Sequence, residues 1–200
     1  MRGGVRPGAA IVAILASIPG VTSIAAELVV AQDGSGTHLT IQAAAEAAQP
    51  GDVVRIRAAT YHELVEPQRS GTALDPITYT AFGDGTVTIS GDGFRQACVV
   101  VAGRSHLHFE DLTLEGARVT GFYAEGPATG LSLEGLDIHS IAHPERGVGY
   151  GMYLHALGGT IEDVLIRGCT VTETTSHGIF LYGRNHGVVI DGNRVSYSGL

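Results

Sequence analysis

Apolar and polar residues alternate in short runs along the second half of this chain, and the runs align with one another. Segments 107–117 (LHFEDLTLEGA), 131–141 (LSLEGLDIHSI), 164–174 (VLIRGCTVTET) and 188–198 (VVIDGNRVSYS) share apolar-x-apolar-x-Asp/Gly, with another apolar residue three positions later. Alternation at period two marks a strand with one face buried. Between these segments a second element recurs as GFYA (121–124), GMYL (151–154) and GIFL (178–181), so each repeat carries at least two short strands. The first elements start at 107, 131, 164 and 188, intervals of 24, 33 and 24 residues. From strand start to the glycine element the distances are 14, 20 and 14, and onward to the next strand 10, 13 and 10. The long interval is therefore the short one plus loops of six and three residues, expected around 143–148 and near 158–162.

Short strands joined by Gly-rich turns, with no helix between them and a fixed long period, predict an all-β fold. The expected architecture is a right-handed parallel β-helix, a solenoid in which coils stack about 4.8 Å apart. A β-sandwich also has many short strands, but its hairpins do not generate matching columns at a long period. Columns then become neighbours in space. Leu107/Leu131/Val164/Val188, Phe109/Leu133/Ile166/Ile190, Leu114/Ile138/Val171/Val195 and Phe122/Met152/Ile179 should line the interior. Alternation sends Tyr123/Tyr153/Phe180 and Glu110/Glu134/Arg167/Asp191 outward. Cys98 aligns with the Phe122 column one coil earlier, and Cys169 with Leu112/Leu136/Asn193. Three coil rises, roughly 14 Å, separate them, too far for a disulfide, so two buried thiols are expected.

The ends of the chain read differently. Apolar residues at helical spacing from Ile41 through Ala48, stopped by Pro50-Gly51, predict a short N-terminal helix over 40–49 that caps the first coil. Residues 1–25 look like a signal peptide: Arg2 and Arg6 precede the apolar run 9–18, and Ser23-Ile24-Ala25 offers small residues for cleavage. The remaining domain, 26–200, is expected to be the N-terminal portion of a solenoid, because the coil begun at Val188 stops after 13 residues. The full-length protein is expected to be a secreted monomer with no membrane attachment once the signal is removed.

Composition narrows the partners. All twelve basic residues are Arg, against twenty Asp plus Glu, for a net charge of -8; losing Arg2 and Arg6 leaves ten against twenty, or -10. Such an acidic surface has no general attraction for nucleic acid. With 29 Gly and no Trp the chain is too glycine-rich for a helical bundle.

The candidate chemistry lies on the outward columns. Glu110 and Glu134 on adjacent coils would repel unless a cation bridges them, so Glu110, Glu134 and Asp191 are a candidate Ca²⁺ site, with a solvated charged face as the alternative. Tyr123, Tyr153 and Phe180, with Tyr182 one outward step further, form an aromatic ladder on which the C–H faces of sugar rings can stack. Arg167 is a candidate for binding an acidic sugar, with Arg184 and Arg194 as others. His155 and His177, beside the ladder, are candidate bases, although His177-Gly178 also matches the turn position of Tyr150-Gly151. His106-x-His108 reads as two histidines on one strand face without a third ligand.

Two stretches carry a resemblance. Residues 30–65 (VAQDGSGTHLTIQAAAEAAQPGDVVRIRAATYHELV) resemble the opening of pectin methylesterases and other pectin-lyase-like β-helix proteins, in which a DGSG turn, a TIQAA helix and a GTY-type turn with an acidic residue start the solenoid. Ala58-Ala59-Thr60-Tyr61 lacks the usual Gly of that turn. Residues 70–93 (SGTALDPITYTAFGDGTVTISGDG) are similar to polysaccharide lyases of the chondroitinase B and alginate lyase group, and to pectate lyases with a calcium site. The resemblance implies a secreted carbohydrate-active protein with a polysaccharide partner, in first place a polysaccharide lyase acting on uronate-containing polymers. A non-catalytic surface-binding or adhesion β-helix and a pectin esterase are the alternatives. It assigns no catalytic residue, and this chain has no Lys to fill the role a lysine plays in some of those lyases.

Overall fold

The computed structural model describes residues 25–142 and 147–196. The signal-peptide expectation, the tip of the 143–148 loop and the last four residues therefore lie outside the described residues. The chain opens with β1 (Glu27–Val30), α1 (Ile41–Ala47), β2 (Val53–Ile56) and β3 (Ala59–Tyr61). The coils continue through β4 (Ile77–Ala81), β5 (Val87–Ser90), β6 (Ala97–Ala102), β7 (Leu107–Glu110), β8 (Thr113–Glu115), β9 (Thr120–Glu125), β10 (Ala128–Glu134) and β11 (Asp137–His139). They end in β12 (Tyr150–Arg167), β13 (Thr170–Val171), β14 (His177–Asp191) and β15 (Arg194–Val195).

Every pairing of named strands is parallel, and each strand pairs with its counterpart in the next coil. The result is a right-handed parallel β-helix of about six turns with one short helix. It has three faces. The first stacks β6, β9 and the leading halves of β12 and β14. The second stacks β1, β2, β4, β7, β10 and the trailing halves of β12 and β14. The third stacks β3, β5, β8, β11, β13 and β15.

Interior columns follow the alternation. Phe109, Leu133 and Ile166 are buried in one column, where Tyr79 stacks on Phe109 with ring centroids 4.9 Å apart; Phe122 meets the Phe109 ring edge-on at 5.2 Å. Leu114, Ile138 and Val171 form the column of the third face. The same columns run on to Ile190 and Val195, each 50% exposed, because the last described coil has no neighbour on its far side.

The Asp/Gly that ends the repeated pattern is a corner residue. Asp111, Gly135, Gly168 and Gly192 take φ of 54°, 63°, 62° and 63°, the left-handed region in which the chain turns sharply from the second face to the third. Glycine adopts it without a Cβ clash, and Asp is among the few other residues that tolerate it.

At the N-terminus the helix caps the first coil as expected. Thr40 is its N-cap, its hydroxyl accepting from the Ala43 N–H at 3.1 Å, and Ile41, Ala44, Ala45 and Ala48 are buried. The acidic residue of the following turn completes the end: Glu63 accepts from the backbone N–H of Ile41 at 2.9 Å and of Gln42 at 2.8 Å. These are two of the four donors that a helix start leaves without an internal partner.

Three details differ from expectation. The insertion near 158–162 is not a separate loop, since β12 runs through it with a register shift between Ala156 and Ile161. Cys98 lies one position off the Phe122 column, which Val99 occupies, because Phe122 lies ten residues before Ser132 whereas Val99 lies nine before His108, the register partner of Ser132. Cys98 instead stands at the Gly121 level, buried, with its thiol toward the Glu115 carbonyl at 3.3 Å. Both cysteines are nonetheless free and buried, and Cys169 keeps the predicted column, its N–H donating to Asn193 Oδ1 at 2.8 Å. Finally, His106 is not on a strand. It precedes β7 with φ of 54°, so it does not share a strand face with His108.

Candidate functional site

The first face carries the densest chemistry. Parallel register sets Tyr123, Tyr153 and Phe180 side by side on β9, β12 and β14, and Glu125, His155 and Tyr182 side by side two residues further on. Both rows point outward, because the intervening Ala124 and Leu154 are buried and Leu181 packs against the core. The rings form one connected platform. Tyr123 meets Tyr153 edge-on at 5.5 Å, Tyr153 lies 5.1 Å from Phe180, and the His155 imidazole stacks on Tyr182 at 5.8 Å with planes 5° apart.

The first residues of β12 and β14 enlarge it. Tyr150 and His177 are in register at the start of the face, and both fold over Phe180, at 5.3 Å and 4.7 Å. Sequence alignment placed them at a shared turn position but missed Tyr150 as a member of the platform. The signal was present in the aromatic pair Tyr150/His177 occupying one column.

Within the platform one contact is chemically distinct. The Tyr123 hydroxyl and His155 Nδ1 are 2.9 Å apart, a hydrogen bond between groups on adjacent coils. Burial first, then the nearby Glu125 and Tyr153, push the Tyr123 phenol above its ordinary pKa. Burial and the neighbouring Tyr150 and Tyr182 raise Tyr153 likewise. Both therefore stay as neutral hydroxyls that can donate or accept near neutral pH.

The charged column lies elsewhere, on the second face. Glu110, Glu134, Arg167 and Asp191 are in register on successive coils, as expected. Arg167 reaches both ways, 3.7 Å to Glu134 and 3.5 Å to Asp191, and Glu134 also accepts from the Ser132 hydroxyl at 2.7 Å. A guanidinium thus stands between two of the three carboxylates proposed for calcium, and it would repel a cation placed there. Among the described residues no group of three or more His, Cys, Asp or Glu side chains comes together to hold a metal ion. The donor set does not fit a calcium site built from Glu110, Glu134 and Asp191.

Arg167 is therefore held in an ion-pair ladder away from the aromatic face. Arg194 sits on the third face in β15. Arg184 lies two residues beyond Tyr182 on β14 and is exposed, while Arg104, two residues beyond Ala102 in the same register row, is turned to the Gln68 and Ala102 carbonyls at 3.0 and 3.3 Å.

Fold and face together place the chain in a class: it has the pectin-lyase-like right-handed parallel β-helix fold, as the resemblance implied. No family model matches the sequence. The uncharacterised protein YwoF of Bacillus subtilis (strain 168) is 28% identical over 176 residues, which cover 78% of this chain and 36% of that protein. The chain thus spans about a third of the length of the curated relative it matches. Among solved structures, an alginate lyase from Paenibacillus sp. str. FPU-7 superposes with a TM-score of 0.64 at 18% identity, covering 85% of this chain and 66% of that one. A GH136 lacto-N-biosidase from Eubacterium ramulus gives 0.68 at 18% identity, over 84% of this chain and 41% of that one. A rhamnogalacturonan lyase gives 0.65 at 19% identity, over 84% and 51%. Likeness at this level of identity is a likeness of fold. Among the described residues no helix is long and apolar enough to cross a membrane.

Proposed function

We propose that this chain belongs to a secreted carbohydrate-active protein that lays a polysaccharide along its first face, and that its reaction is elimination from a uronate-containing polymer. The observation that carries the proposal is the Tyr123–His155 hydrogen bond inside a continuous aromatic platform. Aromatic rings in file along a solenoid offer successive stacking positions for successive sugar units. Names of the structural neighbours, two of them polysaccharide lyases, support the same substrate class.

The chemistry asks for a base and an acid close together. With Nδ1–H of His155 donating to the Tyr123 oxygen, the lone pair on Nε2 is left to take a proton and the Tyr123 O–H is left to give one. In the elimination His155 takes the proton from C5 of the uronate, the C–H electrons form the C4–C5 double bond, and the C4–O bond breaks. The leaving oxygen takes the Tyr123 proton. Proton transfer from the imidazolium back to the phenolate restores the pair for the next turnover, after exchange with solvent.

A non-catalytic binding role is the second reading. It is favoured by the stacking of His155 flat on Tyr182, which holds the imidazole in the ladder. One experiment separates the two: incubation with alginate, polygalacturonate and methyl-esterified galacturonan, followed by the absorbance of the unsaturated product. The lyase reading expects product with the parent chain and loss of at least a hundredfold with His155→Ala and Tyr123→Phe. Retained binding with no product from any uronate polymer establishes the binding reading, and absence of binding to any of these polymers defeats both.

A further inference from the structure

Beside the platform is a recess that extends away from the proton-transfer pair and shares only Tyr123 with it. Where the chain enters the first face, the N–H groups of Val119 and Thr120 donate to the Gln96 carbonyl at 3.1 and 3.0 Å, and this turn stands as a wall next to Tyr123 and Tyr153. The recess encloses about 210 Å³ and is lined by Gln96, Ala97, Val100, Val119 and Thr120 together with the two tyrosines. The Thr120 hydroxyl is turned away to the Phe122 carbonyl at 2.9 Å. Apart from Gln96 and the tyrosine hydroxyls, the lining offers carbon.

Charge selects the occupant. Of the two arginines that precede the wall, Arg95 is engaged by Asp92 and by the His62 carbonyl, and neither Arg95 nor Arg118 lines the recess. Arg184 follows Tyr182 on β14, two coils from Tyr123, roughly 10 Å of rise. A free uronate carboxylate seated here would lose its water with Glu125 on the same strand as Tyr123 and no cation in the lining. A methyl group would lose nothing and gain the apolar contact.

We infer that this recess is a subsite for the methyl-bearing substituent of an uncharged sugar unit, with the pyranose ring lying on Tyr123 and Tyr153. An ester methyl, an O-acetyl group and a 6-deoxy methyl share this chemistry. The inference rests on the reading of the first face as a carbohydrate face and sharpens it. It also removes a difficulty in the elimination, because a free carboxylate resists a second negative charge at C5, whereas an ester carbonyl accepts it. An esterified unit at Tyr123 and His155 therefore needs no arginine beside it.

The test measures binding of the full chain to matched oligosaccharide pairs by titration calorimetry. The pairs are methyl-esterified and de-esterified galacturonan, O-acetylated and deacetylated mannan, and methyl α-L-rhamnoside and methyl α-L-mannoside. At least one substituted member should bind about fourfold tighter than its partner, the value of one buried methyl group, and which pair does so names the source. Val119→Asp should abolish that preference by weakening the substituted member of the pair; Val119→Thr, of the same shape, should reduce it less and guards against a misfolded variant. Equal binding within every pair, with Tyr153→Ala weakening all of them, overturns the subsite and leaves the carbohydrate face standing. No binding of any pair overturns both.

Discussion

Ile166 and Ile190 share one interior column on adjacent coils, yet Ile166 is fully buried and Ile190 is 50% exposed. The same substitution at the two sites therefore isolates the effect of having a coil above. Ile→Ala removes three carbons, about 2.4 kcal/mol of transfer free energy at roughly 0.8 kcal/mol per carbon when burial is complete. At Ile166, clamped between Leu133 and Ile190, the void left behind adds a cavity cost and brings the total to about 4 kcal/mol. At Ile190 half of the transfer term is already absent and no closed cavity forms, so about 1 kcal/mol is expected. Urea denaturation of both variants of this 200-residue chain, followed by far-ultraviolet circular dichroism, gives the two values from the midpoints if the slopes match. Equal losses at the two positions would refute the reasoning, since they would mean that the column is not graded along the axis.

Three further outcomes follow from other parts of the molecule. Glu63→Ala removes the acceptor of two helix N–H groups and should cost about 2 to 3 kcal/mol in the same denaturation assay, whereas a loss under 0.5 kcal/mol would show that Glu63 does not hold the cap. Burial pushes the Cys98 thiol up to about 12 and raises Cys169 as well, so neither should react with a disulfide reagent in the native chain and both should react after denaturation without reductant. Added calcium should leave the melting temperature unchanged because Arg167 already pairs with Glu134 and Asp191; a rise that Glu134→Gln abolishes would reinstate a cation between Glu110 and Glu134.

The repeat by itself determined most of the fold. A period of about 24 residues with fixed apolar positions admits few structures other than stacked coils, because in a solenoid each residue's neighbours are its counterparts in the next repeats. That is why the columns Phe109/Leu133/Ile166 and Leu114/Ile138/Val171, the outward ladder Tyr123/Tyr153/Phe180 and the separation of the two thiols were legible without coordinates. Turn length was not legible to the residue. One extra residue between Phe122 and Ser132, relative to Val99 and His108, moved Cys98 off its column, and three extra positions were absorbed into β12 as a register shift. Side-chain direction at the corners was likewise decided by tertiary structure. At the start of β12 both Gly151 and Met152 are buried, which breaks the alternation on which facing is predicted, so only the fold could bring Tyr150 and His177 over Phe180. Register alone put Glu110, Glu134, Arg167 and Asp191 in line, but whether they would gather a cation depended on where the Arg167 guanidinium went. It went between Glu134 and Asp191, because the attraction of a fixed positive charge for two flanking carboxylates outweighs leaving them to repel across one coil.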